Sequence, residues 1–479
     1  MPHLRLGAAL LLAGMTVFLA GTTAARGGEP PPSVDAAPDA AAPQSARVAW
    51  ENGFLAATAD GEFQIHVGGR AEFDNSWFTQ DANLLLGPSE ETKLKDGSLF
   101  RRARLRADGL LWGWINFVTE VNFANIQDAS NVDNSLIQVG SVGLTDFYLT
   151  FRDVPVVGNV RAGHFKAPVG LERYSSSNAW YYLERSSLFD AFLGPNNYQN
   201  GVLVFDSFCD DRATLAAAAT RIGKSTVQSF GFGAQDGAYA AAVRATALPW
   251  YAEDGRRLMH LGVGCQHQAL DGDQFNVASR PLIRSGSGSG ADTPNVVFTG
   301  TYFTPGGVTI LDLEWAAVVG PCSLSAEWAL ARAGAMFDSF DGAFSGPHGA
   351  VSYQAFYVEG GCFVTAGDYR RYDRLTGTWA RTLPAANVNL SRKNAGGCGA
   401  IQLLARYTDL NLIAGDPVLT PAAGGARAGR QQDVTLGVNW TINPQVWVMV
   451  NWVISRVDSV VPGASGGFQG LGARIHVDF

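Results

Sequence analysis

The sequence predicts an all-β fold, a transmembrane antiparallel β-barrel of about sixteen strands. Three observations carry that expectation. Apolar and polar residues alternate with period two along segments of 8–12 residues, the length a tilted strand needs to cross a bilayer. Connections between these segments alternate between short and long, so that one end of the barrel carries tight turns and the other carries loops. Finally, the stretch FRRARLRADG sets Arg102, Arg104, Arg106 and Asp108 on one strand face, against Ala103, Leu105 and Ala107 on the other. Like-facing residues lie about 6.8 Å apart along a strand. A column of guanidinium groups backed by small apolar residues suits a wall with lipid on one side and water on the other.

Taken in order, residues 1–25 read as a secretory signal. Arg5 supplies the positive start, Leu6 to Ala20 the apolar stretch, and Thr22, Thr23, Ala24 and Ala25 the small residues expected at a cleavage site. The apolar run falls short of the ~20 residues of a spanning helix, and no later segment is long and apolar enough for one. Residues 26–49 are rich in Pro and Ala without periodicity, a flexible lead-in. Residues 50–479 then carry the strand pattern.

Candidate strands fall near 62–73, 99–110, 114–123, 142–152, 159–166, 198–208, 212–221 and 238–248. The second half continues near 257–268, 308–319, 323–334, 351–366, 398–409, 432–441, 445–456 and 469–479. The alternation is plain in LTDFYLTF, where Phe147, Leu149 and Phe151 oppose Asp146, Tyr148 and Thr150. DVTLGVNW and the closing LGARIHVDF repeat it, the latter ending on Phe479 toward lipid. Long connections lie near 74–98, 124–141, 167–197, 269–307 and 410–431. One connection breaks the rule. Residues 367–397 fall on the short-turn end yet run to about thirty residues, so either a strand pair is misread there or that end carries an elaborated turn. Within it, Arg370, Arg371, Asp373 and Arg374 read as a solvated turn.

The composition narrows the function. Removing the signal takes one base and no acid from the −8 total, leaving a net charge of about −9. Nucleic acid is a poor partner for such a chain, and any anion preference must come from where the arginines sit. Five cysteines are scattered and odd in number, which is no disulfide framework; Cys362 and Cys398 are the pair considered for a bridge across a hairpin, against two small buried thiols. No His stands in a context that suggests catalysis or metal binding, so no enzyme activity and no cofactor are expected.

The chain resembles the phosphate-selective porins of the O/P type. The resemblance rests on FRRARLRADG, LTDFYLTF, VRAGHFKAPVGLERYSSSNAWYYLERS, VEGGCFVTAGDYRRYDRLTGTWAR and GRQQDVTLGVNWTINPQVWVMVNW, which occur in the family's order. It implies a sixteen-stranded trimeric outer-membrane barrel whose third long loop, here 167–197, folds inward and narrows the pore. It also implies an anion path. Arg101, Arg102 and Arg104 in FRRAR and Lys166 in GHFK match it, Arg173 and Arg185 match more loosely within the inward loop, and Asp146 matches an acidic residue near the basic site. Arg106 joins them as a rung of the same face. The family's dense run of alternating arginines midway along the chain is missing, since 212–257 holds only Arg212, Arg221, Arg244, Arg256 and Arg257. Phosphate or another small anion is thus the expected cargo, in a homotrimer in the outer membrane. Two alternatives stand beside it. One is a general porin whose arginines are balanced by Glu172, Glu184, Glu120 and Asp146; the other is a non-conducting adhesin or structural barrel.

Overall fold

A computed structural model describes residues 46–84, 93–124, 143–194, 197–222, 238–270, 274–286, 293–300, 302–340, 343–388, 396–413 and 428–479. The expected signal segment and most of the lead-in lie outside the described residues.

Sixteen strands form the wall among the described residues. They are β1 (Gln64–Gln80), β2 (Gly97–Leu111), β3 (Ile115–Asn122), β4 (Gly143–Val154), β5 (Gly158–Lys166), β6 (Tyr198–Phe208), β7 (Ala213–Arg221) and β8 (Tyr239–Ala252). Then follow β9 (Arg257–Ala269), β10 (Val308–Val319), β11 (Cys322–Phe340), β12 (Ala343–Phe363), β13 (Ala400–Asn411), β14 (Gly429–Asn443), β15 (Val446–Ser459) and β16 (Gly466–Asp478). Each pairs antiparallel with its sequence neighbours, and β16 pairs with β1 from Phe468↔Gln80 to Asp478↔Arg70, which closes the barrel. The last residue completes the seam: Phe479 N donates to Gly69 O (2.9 Å), and Gly69 N donates to Phe479 O (2.7 Å). Closure leaves the sheet without an edge, the condition for backbone to cross hydrocarbon.

The alternation decides which face is which. On β16 and at the residue after it, Leu471, Ile475 and Phe479 are exposed, whereas Arg474, His476 and Asp478 are buried inside. Phe147 and Leu149 of β4 likewise point outward. Trp112, Trp114, Phe208, Trp250 and Trp440 stand exposed near the short-turn end, and Trp77 and Tyr239 near the other, as aromatic girdles do at the two interfaces.

Three departures from the sequence expectations have physical causes. Arg47–Trp50 pairs with Phe54–Ala57, which pairs onto β1, so regular pairing begins within the stretch read as lead-in. The disulfide joins Cys322 to Cys362, register partners on β11 and β12, and not Cys362 to Cys398, whose thiol is free and exposed. In the register of β12 on β13 Cys362 faces Leu403, and Cys398 lies before the paired strand begins. The described residues of the connection between β12 and β13, 364–388 and 396–399, include their own paired strands, Tyr372–Asp373 and Thr378–Trp379, and reach into the lumen, where Thr376 O and Gly377 O accept from Arg244. Its Arg370 is correspondingly no solvated residue: it is buried between the Tyr181 and Trp379 rings (4.1 and 3.9 Å) and bonds Glu359 at 3.0 Å.

The third long loop crosses the barrel. It leaves β5 through Gly170, whose φ of 77° and whose missing Cβ, which would lie 2.6 Å from Leu193 Cδ1, admit only glycine comfortably. It then binds the far wall: Glu172 N donates to Glu327 Oε2 on β11 (3.0 Å), Ser187 Oγ to Thr408 Oγ1 on β13 (3.0 Å), and Leu183 N to Asn451 Oδ1 on β15 (2.8 Å). Asn439 Nδ2 on β14 donates to Tyr181 O at 2.8 Å. Each bond satisfies a polar group that the loop buries.

Candidate functional site

A cavity of about 540 Å³ lies in the lumen between the inward loop, the 364–399 turn and the wall strands β1, β2, β4 and β5. Its cations are Arg70, Arg104, Arg106, Arg161, Lys166 and Arg381; its carboxylates are Glu120, Asp146, Asp373 and Asp478. Tyr148, Tyr174 and Tyr198 supply the aromatic part of the lining.

The structure thus gathers Arg104, Arg106, Lys166 and Asp146 around one space. Arg101, Arg102, Arg173 and Arg185 lie outside it. A β-bulge explains Arg101: Glu72 faces Arg102 and Phe73 faces Phe100, so Arg101 is the extra residue, and the kink turns it inward against strict alternation. There its Nε and Nη2 bond Glu184 at 2.5 and 2.9 Å. Arg102 is buried against Glu72, with its guanidinium 4.8 Å from the Trp180 ring. Arg173 donates to Gln266 Oε1 (3.1 Å) and Asn197 O (3.2 Å) beneath the loop. Arg185 lies against the Trp180 and Phe189 rings (3.6 and 4.0 Å) and donates to Glu172 O. Arg244, one of the arginines of 212–257, is consumed by a bidentate pair with Glu314 at 2.8 and 2.7 Å.

Within the cavity the cations divide into two kinds. Arg104 bonds Glu120 at 2.6 Å, Arg70 reaches the same carboxylate at 3.4 Å, Arg106 bonds Asp108 at 2.9 Å, and Arg381 bonds Asp478 at 2.8 Å. Lys166 and Arg161 have no carboxylate at ion-pair distance among the described residues. Lys166 Nζ donates to Ser175 O (3.0 Å) and lies 5.9 Å from the Tyr198 ring. Arg161 Nε donates to Thr150 Oγ1 (3.0 Å), and its guanidinium lies 4.0 and 5.0 Å from the Tyr148 and Phe205 rings. Ring faces hold a cation in place without pairing it to an acid, and Asp146 is the cavity carboxylate that shares the space with both. Arg161 was missed in the sequence, although VRAG already sets it opposite Val160 and Ala162.

Two loop carboxylates show how the surroundings set charge. Burial pushes Glu184 upward, but Arg101 and then Arg284 and Arg102 outweigh it and hold the carboxyl below its usual range. Burial dominates at Glu172 and pushes it up, against Arg406.

A closed, lipid-facing barrel whose polar lumen is narrowed by an inward loop defines an outer-membrane channel. The chain belongs to the family described as phosphate-selective porin O and P, which it matches over residues 70–479. It is 25% identical to Porin O of Pseudomonas aeruginosa over 431 residues, covering 86% of this chain and 87% of that one. Among solved structures it is similar to outer-membrane expressed OmpT of Vibrio cholerae (12% identity, TM-score 0.45, covering 87% and 98% of the two chains). It is also similar to Pseudomonas putida OprB (9%, TM-score 0.49, covering 88% and 95%).

Proposed function

We propose that this channel passes small anions by passive diffusion and favours phosphate. The observation that carries the reading is the pair Lys166 and Arg161, two cavity cations with no carboxylate at ion-pair distance among the described residues. A guanidinium fork donates two parallel bonds to a phosphate, and an ammonium adds a point charge with three donors. Moderate, partly screened sites suit conduction, because a solute must leave as readily as it enters. The name of Porin O's family points the same way. The pairing of Arg104 with Glu120 and of Arg106 with Asp108 favours the mixed-field reading for the β2 ladder alone, and supports a reading in which β5 carries the anion preference. Export through a cleaved segment 1–25, a flexible tether behind it and assembly as a homotrimer complete the proposal; the composition of residues 1–49 and the family support them.

The test is a planar-bilayer recording of the purified protein under a KCl gradient, followed by phosphate titration. An anion-selective reversal potential and block of chloride current by phosphate are expected. Cation selectivity overturns the proposal, and anion selectivity without phosphate block reduces it to a general anion pore.

A further inference from the structure

On the wall that receives the root of the inward loop, three carboxylates converge: Asp312 and Glu314 of β10 and Glu327 of β11. Glu314 lies directly opposite Glu327, and Asp312 opposite Ala329, which makes Asp312 the diagonal neighbour of Glu327. Like charges in these positions destabilise a sheet unless something positive sits among them. All three are buried, Asp312 completely.

Side chains and backbone satisfy two of the three. Glu314 holds Arg244 and stands 3.0 Å from His260 Nε2. Glu327 accepts the Leu171 and Glu172 N–H groups and the Tyr357 hydroxyl. Asp312 differs: neither Oδ1 nor Oδ2 has a hydrogen-bond partner. A buried carboxylate left in that state is strongly unfavourable, so it calls for a ligand from outside the chain. Space is provided for the cluster as well. The β9 residues facing Asp312 and Glu314 are Gly264 and Gly262, and a Cβ on Gly262 would lie 2.5 Å from Glu314 Oε2.

We propose that Asp312, with one oxygen each from Glu314 and Glu327, binds a hard divalent cation of the Ca²⁺ type. One oxygen from each residue lies within 4.8 Å of the others. Ca²⁺ takes oxygens at about 2.3–2.6 Å, so atoms on its opposite sides stand about 5 Å apart and all three fit one ion. Arg244 pairs with Glu314 and Arg173 acts on Asp312 from beneath the loop, so the three carboxylates against these two cations keep a net negative charge that attracts a cation. Because Glu327 also holds Leu171 and Glu172, the ion fastens the root of the inward loop to the wall.

The experiment uses the full-length protein in detergent, stripped with EDTA and titrated with Tb³⁺ as the Ca²⁺ probe. One Tb³⁺ per chain is expected, sensitised by Tyr357 and displaced by Ca²⁺, with Ca²⁺ raising the thermal midpoint. Asp312→Asn should weaken binding at least tenfold and abolish the midpoint shift. Tyr357→Phe should keep the ion and lose most of the sensitised emission, a check that survives even if Asp312→Asn does not fold. Equal binding by Asp312→Asn, or undiminished emission from Tyr357→Phe, puts the ion elsewhere and overturns the proposal. So does a wild type that takes up no ion while Asp312→Asn is the more stable protein in EDTA, since a proton shared by Asp312 and Glu327 then balances the charge.

Discussion

Strands β2 and β5 both present cations to the lumen, and they use them in opposite ways. β2 carries four arginines between Arg101 and Arg106, and each has a carboxylate: Glu184, Glu72, Glu120 and Asp108 in turn. β5 carries Arg161 and Lys166 into the cavity, and neither has a carboxylate at ion-pair distance among the described residues. The density of charge in a sequence is therefore a poor guide to the charge a solute meets. A ladder on a buried wall must be neutralised or it costs several kcal/mol per ion, whereas a cation propped by ring faces and a backbone carbonyl is held without a bonded acid.

The largest effect should follow from removing a β5 cation. Lys166→Ala is expected to weaken phosphate block about 10- to 100-fold, the equivalent of one charge-assisted hydrogen bond of about 1.5–3 kcal/mol. Titration of single-channel conductance with phosphate measures it. Arg161→Gln should act in the same direction, and unchanged block in both variants would erase the distinction between the strands.

A smaller change should convert part of β2 to the behaviour of β5. Glu120→Gln releases Arg104 and loosens Arg70, which reaches the same carboxylate. Anion-over-cation permeability should rise about threefold, a typical ion-pair worth of about 0.6 kcal/mol, read from the reversal potential. A fall would show that Glu120 does not mask these arginines.

Smaller still for transport is Arg102→Ala. Arg102 is outside the cavity, so the permeability ratio should stay within a factor of about two. The barrel should instead lose about 3 kcal/mol, because Glu72 loses a buried partner. Urea unfolding in detergent separates the two readouts, and a large selectivity change with no stability loss would return Arg102 to the conduction path.

These contrasts mark what the residues alone disclose. All sixteen strands were legible, since lipid outside and water inside impose a period that survives in LTDFYLTF and LGARIHVDF. The lumen was legible in part. Arg104, Arg106, Asp146 and Lys166 line one cavity there. Arg101 turns inward through a bulge, which no periodic reading contains. The partners of the β2 arginines are set by contacts between positions as distant as 101 and 184, and the fate of Arg370 by a turn that folds into the barrel. Cys322 and Cys362 follow the same rule: only the register of β11 on β12 makes them neighbours.

The smallest expected effect separates two acids of the inward loop by pH. Glu184 is held below the ordinary carboxyl value of 4.5 by Arg101, against burial. Its folded form therefore binds the proton less tightly than the unfolded chain. The stability it contributes is complete above that value and fades as pH falls through it. Glu172 is pushed up by burial, so its contribution has the opposite sign: it is best at low pH and declines as pH rises above the same value. Thermal midpoints of Glu184→Gln between about pH 3 and 6 should be flatter than wild type on the acid side, and those of Glu172→Gln flatter on the rising side. Parallel profiles for the two variants would mean that the Arg101–Glu184 pair does not set the loop's charge state, and that β2 does not reach across the lumen to hold the loop in place.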